Sequence, residues 1–287
     1  MIPPRKMLVA TDFSPGAECA AKVALDLAAH WEASIDWVHV SPEASGGLTP
    51  SSDALITKFI EHDLHEGREG LDALSRRSGE RNIECSVHLI PGRPADAVAK
   101  HVEDAGCDLV VVGTHGRSGL ESLLLGSVAE KIVRSASAPT LCVRAGAAIA
   151  PGSTLVYGED FTSTANREQV AALAKSLDAT LVAVHAIEVT ASAASGSGFT
   201  APPELIDASL REAAERFWEL SGEYGVETET EVSIGSASKA ICDQARRRNA
   251  SLVVTGTSSR KGLERWMLGS VAEKTLRRAP CSVLVLR

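Results

Sequence analysis

A fifteen-residue stretch occurs twice in this chain. Residues 113–127 read GTHGRSGLESLLLGS and residues 256–270 read GTSSRKGLERWMLGS, at a constant offset of 143 positions. Extended to residues 113–133 against 256–276, the copies share 13 of 21 residues, far more densely than the rest of the two halves. A duplication on this scale in a chain of 287 residues requires two copies of one fold. It also suits the usual domain size of roughly 100–200 residues. The halves are set at residues 1–146 and 150–287, meeting in a small-residue linker.

Each copy of the stretch follows a β-branched apolar run, 109–112 or 252–255, and leads into a helix-like segment. Around it the first half alternates strand-like runs at 7–10, 34–40, 83–90, 109–112 and 140–143 with helical segments. Ala20, Val23, Ala24, Leu27, Ala28 and Trp31 show the three-and-four spacing of an amphipathic helix, and 53–79, 95–104 and 128–135 supply the other helices. The second half repeats the order, with strands at 154–157, 181–185, 226–234, 252–255 and 282–285. Ser-, Gly- and Ala-rich stretches at 41–53 and 190–198 read as matching loops. Apolar strands joined by helical crossovers predict an α/β fold: two repeated, doubly wound, five-stranded parallel-sheet domains.

In such sheets ligands bind beyond the carboxyl ends of the strands, where the strand order reverses. Thr11-Asp12, after the first strand, and Gly113 onward, after the fourth, are the pair expected to flank that crevice. A strand, a glycine-rich turn and a helix N-terminus together can wrap N–H groups around a phosphate. The glycines at 113, 116 and 126, with Ser127, form a G-x2-G-x9-G-S pattern.

A net charge of −8 argues against a general nucleic-acid binder, and no apolar run approaches the ~20 residues of a membrane span. The N-terminus passes directly into a strand-like run, and the expected location is the cytoplasm. The six cysteines show no metal-ligand spacing, and no metal site is assigned. His39 and His185, at equal places in the second strands, read as hydrogen-bonded core residues. No Walker-type lysine loop or Ser-His-Asp order appears, and no catalytic residue is assigned.

Asp12, the glycine pattern, the segment Val128-Ala-Glu-Lys-Ile-Val and their counterparts Asp160, Gly256, Gly269 and Ser270 together resemble the universal stress protein family in its tandem form. The resemblance implies an adenine nucleotide alpha-hydrolase-like fold and, for members with this glycine pattern, binding of ATP, with Mg2+ as its companion ion. Carried over by residue, Ala10, Thr11, Asp12 and Val40 would line the adenosine. Gly113, Thr114, His115, Gly116 and Arg117 would follow the ribose and phosphates, and Gly126, Ser127 and Val128 would cap the phosphates. Asp160, Gly256, Gly269, Ser270 and Val271 are their second-half counterparts. Glycine would admit positive φ and close approach, while Asp12 could bind ribose hydroxyls, cap the following helix, or do both. The resemblance further implies that the last strands of the halves pair with each other, and a homodimer stays open.

The second half departs from the pattern. Ser259 stands for Gly116, Ala186 for Val40, and the loop Tyr157-Gly-Glu-Asp160 reads as one residue longer before its Asp. The expectation is a nucleotide-dependent regulatory or stress-survival module, with ATP in the first half and a weaker site or a structural partner in the second. The alternatives are a slow ATPase or ATP-using transferase, and a nucleotide-free scaffold.

Overall fold

The computed structural model describes residues 2–41, 50–114, 125–188, 202–257 and 268–287, the side chains of 50–59 and 221 apart. In the first half the order is β1 (Lys6–Ala10), α1 (Pro15–Trp31), β2 (Ser34–Ser41), α2 (Pro50–Gly79), β3 (Cys85–Pro91), α3 (Pro94–Ala105), β4 (Leu109–Gly113), α4 (Ser127–Ser135) and β5 (Thr140–Val143). The second half runs β6 (Thr154–Gly158), α5 (Thr164–Ser176), β7 (Thr180–Ile187), α6 (Pro203–Leu220), β8 (Thr228–Ile234), α7 (Ala237–Arg247), β9 (Leu252–Gly256), α8 (Ser270–Arg278) and β10 (Ser282–Leu286). The two loops expected at 41–53 and 190–198 fall largely outside the described residues, although α2 already starts at Pro50.

The strands form one ten-stranded sheet in the order β3-β2-β1-β4-β5-β10-β9-β6-β7-β8. Each half contributes five parallel strands, and the halves join where β5 and β10 run antiparallel, with Leu141 opposite Leu284. This pairing removes two apolar edges that would otherwise template aggregation. The outermost strands, β3 and β8, are the most exposed, and β8 meets solvent with the alternating Thr228-Glu-Thr-Glu231.

Helices α1, α2, α5 and α6 cover one face of the sheet, and α3, α4, α7 and α8 the other. Both apolar layers run through the two halves without a break. On the first face Leu27, Leu173 and Leu177 share a cluster with Leu141 and Leu284, and the Trp31 indole donates to Ser176 Oγ at 3.2 Å. On the second face, α4 and α8 exchange charges: Arg134 reaches Glu273 at 3.1 Å and Arg277 reaches Glu130 at 2.9 Å. These four residues repeat at the 143-residue offset, so the ion pairs express the duplication in three dimensions. Their carboxylates and guanidiniums are about one quarter to one third exposed, and each pair is worth at most about 1 kcal/mol. The apolar layers and the β5–β10 pairing therefore dominate the cohesion of the halves. The Arg246–Arg248 run ends α7 on the surface, paired with Asp243 and Glu229, as a solvated helix end should.

Candidate functional site

The strand order reverses between β1 and β4, which lie side by side with Val9 opposite Val111. The chain leaves β1 at Thr11 and β4 at Thr114, so the two turns stand next to each other at the carboxyl edge of the sheet. Pro15 opens α1, and the helix is capped by Ser14, whose Oγ accepts the Ala17 N–H at 3.2 Å. Asp12 is not that cap: its Oδ1 accepts from the Ser14 N–H at 3.1 Å and holds the turn before the helix. Between them Phe13 adopts φ +58°, unusual for an aromatic residue. Three contacts hold it there. Its N–H donates to Thr11 Oγ1 at 3.0 Å, its ring lies 4.8 Å from that of His39, and Gly70 of α2 leaves room where a Cβ would come within 2.4 Å of the ring.

His39 is buried, bonded through Nδ1 to the Thr11 carbonyl at 2.8 Å, with Nε2 3.6 Å from the buried Asp63. It is the hydrogen-bonded core residue that its apolar strand suggested. Asp63, on α2, had no sequence signal: one acidic residue among many on a charged helix.

Gly113 is required for close approach. A Cβ there would lie 2.5 Å from the Gly16 carbonyl oxygen, so the end of β4 and the first turn of α1 touch backbone to backbone. Twelve residues after Thr114 the chain returns: the Gly126 N–H donates to the Thr114 carbonyl at 2.8 Å. Gly126 is the N-cap of α4 at φ −59°, and as a glycine it offers no side-chain capping bond. Its first-turn N–H groups, together with the exposed Ser127 and Val128, thus face outward from the crevice edge. The expectation of positive φ at these glycines is corrected. None of Gly113, Gly126, Gly256 and Gly269 is left-handed, and what they supply is the lack of a Cβ. Ala10, Thr11, Asp12, Val40, Gly113, Thr114, Gly126, Ser127 and Val128 gather on this edge. His115, Gly116, Arg117 and Ser259 lie outside the described residues.

In the second half the same turn is built differently. Glu159 takes the place of Thr11: its N–H donates to the Val184 carbonyl as Thr11 does to that of Val38, and Phe161 repeats Phe13 at φ +62°. The reading of one extra residue before Asp160 is therefore corrected. Gly158 completes β6, paired in register with Val184, and the extra residue follows Phe161, because the helix cap is Ser163. Glu159 Oε1 accepts the Phe161 N–H at 2.6 Å, doing the work of the Thr11 hydroxyl. The same oxygen also accepts from the buried Arg167 at 3.3 Å, Oε2 accepts from the Tyr224 hydroxyl at 2.7 Å, and Arg167 continues to Glu223 at 2.9 Å. Burial opposes the Arg167 charge, but the two carboxylates outweigh it and hold its pKa above the ordinary value. Burial, reinforced by the Glu159 charge, raises both Tyr224 and Tyr157 far above a normal phenol.

Over this turn opens a cavity of about 400 Å³ lined by Asp160, Phe161, His185, Ala186, Glu188, Glu212 and Arg216 among others. Asp160 spends Oδ1 on the Thr162 N–H and hydroxyl, at 2.9 and 2.8 Å. Among the described lining residues, three carboxylates stand against one guanidinium. Gly256 faces the Asn166 amide, which a Cβ would meet at 2.3 Å. Gly269 caps α8 without a side-chain bond, with Ser270 exposed and Val271 half-buried behind it.

A further polar cluster, unforeseen in the sequence, lies beneath α3. Asp36 of β2, His88 of β3 and His101 of α3 bring their ligand-type atoms within 4.8 Å of one another. Burial pushes the Asp36 carboxyl up, but hydrogen bonds from His101 and Lys6 outweigh it and lower its pKa. No spacing rule could reveal three residues from three elements joined only by sheet register and helix packing.

A model of the universal stress protein family matches residues 4–144 and again 154–287, and the chain belongs to that family as a tandem member. Its halves resemble single-domain relatives. The universal stress protein YxiE of Bacillus subtilis is 35% identical over 147 residues, which is 48% of this chain and 98% of that one. The universal stress protein MJ0531 of Methanocaldococcus jannaschii is 30% identical over 142 residues, 49% of this chain and 82% of its own. Over the full length, the fold resembles a universal stress protein structure from Archaeoglobus fulgidus at TM-score 0.71 and 20% identity, covering 99% of this chain and 98% of that one.

Proposed function

We propose that this protein is a nucleotide-dependent regulatory module which takes ATP, accompanied by Mg2+, in the crevice of its first half. The observation that carries this reading is the glycine-capped N-terminus of α4, set by the Gly126–Thr114 hydrogen bond beside the Thr11-Asp12 turn at the point where the strand order reverses. The donor set fits the ligand. Backbone N–H groups and the Ser127 hydroxyl suit phosphate oxygens, Asp12 suits ribose hydroxyls, and Val40 with the strand ends offers apolar surface to a base. A Cβ at Gly126 would press the Thr114 carbonyl at 3.2 Å and narrow the phosphate end. Bound ATP would supply a polyanion that orders this edge, and no step of hydrolysis is assigned to any residue.

The second half is read as the weaker site. Among the described residues its cavity sets Asp160, Glu188 and Glu212 against Arg216, a balance that disfavours a triphosphate, and Glu159 is locked to Arg167 and Tyr224 as structure. Thermal melts with ATP and Mg2+ test the proposal, since a ligand at about 100 times its Kd stabilises by about 2.7 kcal/mol. A rise in Tm that disappears in Gly126→Val is expected. A Tm indifferent to ATP, in protein from which mass spectrometry releases no adenine nucleotide, would favour the scaffold reading.

A further inference from the structure

The Asp36–His88–His101 cluster stands on the face of the sheet opposite α1 and α2, enclosed by α3. His101 Nε2 lies 2.9 Å from Asp36 Oδ2, and His88 Nε2 lies 3.7 Å from the same oxygen. The imidazole rings are 4.3 Å apart, tilted by 56°. A buried hydrogen-bond network explains part of this: His101 bonds Asp36, and Lys6 Nζ, 2.9 Å from Oδ2, supplies the countercharge. It leaves His88 unexplained. Its Nε2 is shut off from solvent with no hydrogen-bond partner among the described residues, and 3.7 Å is too long for one.

A tetrahedral zinc ion with bonds of about 2.0–2.1 Å sets its ligand atoms about 3.3 Å apart. The two separations from Asp36 Oδ2 fall on either side of that value and the imidazole nitrogens lie within 4.8 Å of each other, so side-chain rotation draws the triad around an ion. We propose that Asp36 Oδ2, His88 Nε2 and His101 Nε2 form a binding site for a divalent transition metal ion of the zinc class, with water in the fourth position. Two imidazoles and one carboxylate are a donor set that this class of ion prefers over Mg2+ or Ca2+. Lys6 is the competitor. Its ammonium occupies the charge position of the ion, and its side chain, one third exposed, is free to turn outward as the metal replaces it on Asp36. Among the described residues, only the first half has the site. By sheet register and helix alignment the second half has Val182, Glu231 and Gln244 at the three positions.

The test is titration of the full chain with Co2+, read by the visible bands of tetrahedral cobalt, and with Zn2+ by calorimetry. One ion per chain is expected. His88→Gln and His101→Gln should each weaken binding by about tenfold or more, since even groups behind the ligands are worth 10–100-fold. Lys6→Met should tighten it. The exposed His62–Glu66 and His65–Glu69 pairs of α2 are the place for adventitious binding, and His62→Ala/His65→Ala controls for them. Binding that survives both cluster variants, or is lost in the α2 variant, overturns the proposal, as does a cobalt spectrum without tetrahedral bands. If circular dichroism shows that a histidine variant misfolds, Lys6→Met decides: unchanged or weaker binding contradicts the site.

Discussion

Replacing Arg167 with Leu should cost the fold about 3–5 kcal/mol, the penalty of leaving a buried charge without its partner. The Glu159 side chain is wholly enclosed, and Arg167 is only 5% exposed. Without the guanidinium, the carboxylate keeps two donors, the Phe161 N–H at 2.6 Å and the Tyr224 hydroxyl at 2.7 Å, but no countercharge. The lost contact to Glu223 adds little, because that carboxylate is 44% exposed and solvent screens it. Glu159→Thr, which copies Thr11 of the first half, retains an acceptor for the Phe161 N–H and removes the charge. In the combined variant the buried charge is gone, and the total loss should fall short of the sum of the single losses by about 2–3 kcal/mol. Urea unfolding at neutral pH, followed by far-ultraviolet circular dichroism, measures all four proteins. A loss under about 1 kcal/mol for Arg167→Leu, against the 3–5 kcal/mol expected for a stranded buried charge, would refute the reasoning. So would strict additivity in the double variant.

Gly113→Ala should destabilise by about 1–3 kcal/mol and abolish the ATP-dependent Tm rise, because the new Cβ meets the Gly16 backbone, which cannot swing aside as a side chain could. A fully stable, ATP-responsive variant would contradict the close approach. Both tyrosines of the chain are buried in the second half with pKa values raised by burial, whereas an unfolded chain ionises them near pH 10. Their contribution is thus complete below about pH 10 and lost as the pH rises beyond it. The urea midpoint should fall in that range, and phenolate absorbance should appear only with unfolding of the second half. Burial pushes the Cys142 thiol up to about 12 and raises that of Cys242. Iodoacetamide at pH 8 should therefore spare both in the folded protein, while the half-buried Cys19 and Cys85 are the sites to react first. Early alkylation of Cys142 in a peptide map would count against a closed core.

Much of the fold was legible because repetition and periodicity are local signals. The β-branched runs at 109–112 and 252–255 and the Ala/Leu stripe of α1 announce strand and helix without knowledge of their partners. The glycines of the repeated stretch were legible as places of close approach, but not what they approach: Gly113 answers to Gly16, almost a hundred positions earlier. The turn before Asp160 was misjudged because Gly158 reads as a loop residue, whereas pairing with Val184 draws it into β6. Phe13 and Phe161 gave no hint of left-handed backbone, since that conformation comes from Thr11 or Glu159 below and the long helix above. The Glu159–Arg167–Tyr224 network and the Asp36–His88–His101 cluster each join three separate stretches of the chain, and only tertiary packing assembles them.

The claim that ATP belongs to the first half is tested most directly by equilibrium titration with ATP and Mg2+ of the full chain and of the Asp12→Ala and Asp160→Ala variants. The account predicts one tight site per chain, lost or much weakened in Asp12→Ala and preserved in Asp160→Ala. Two equal sites, or binding that depends on Asp160 and ignores Asp12, would contradict it.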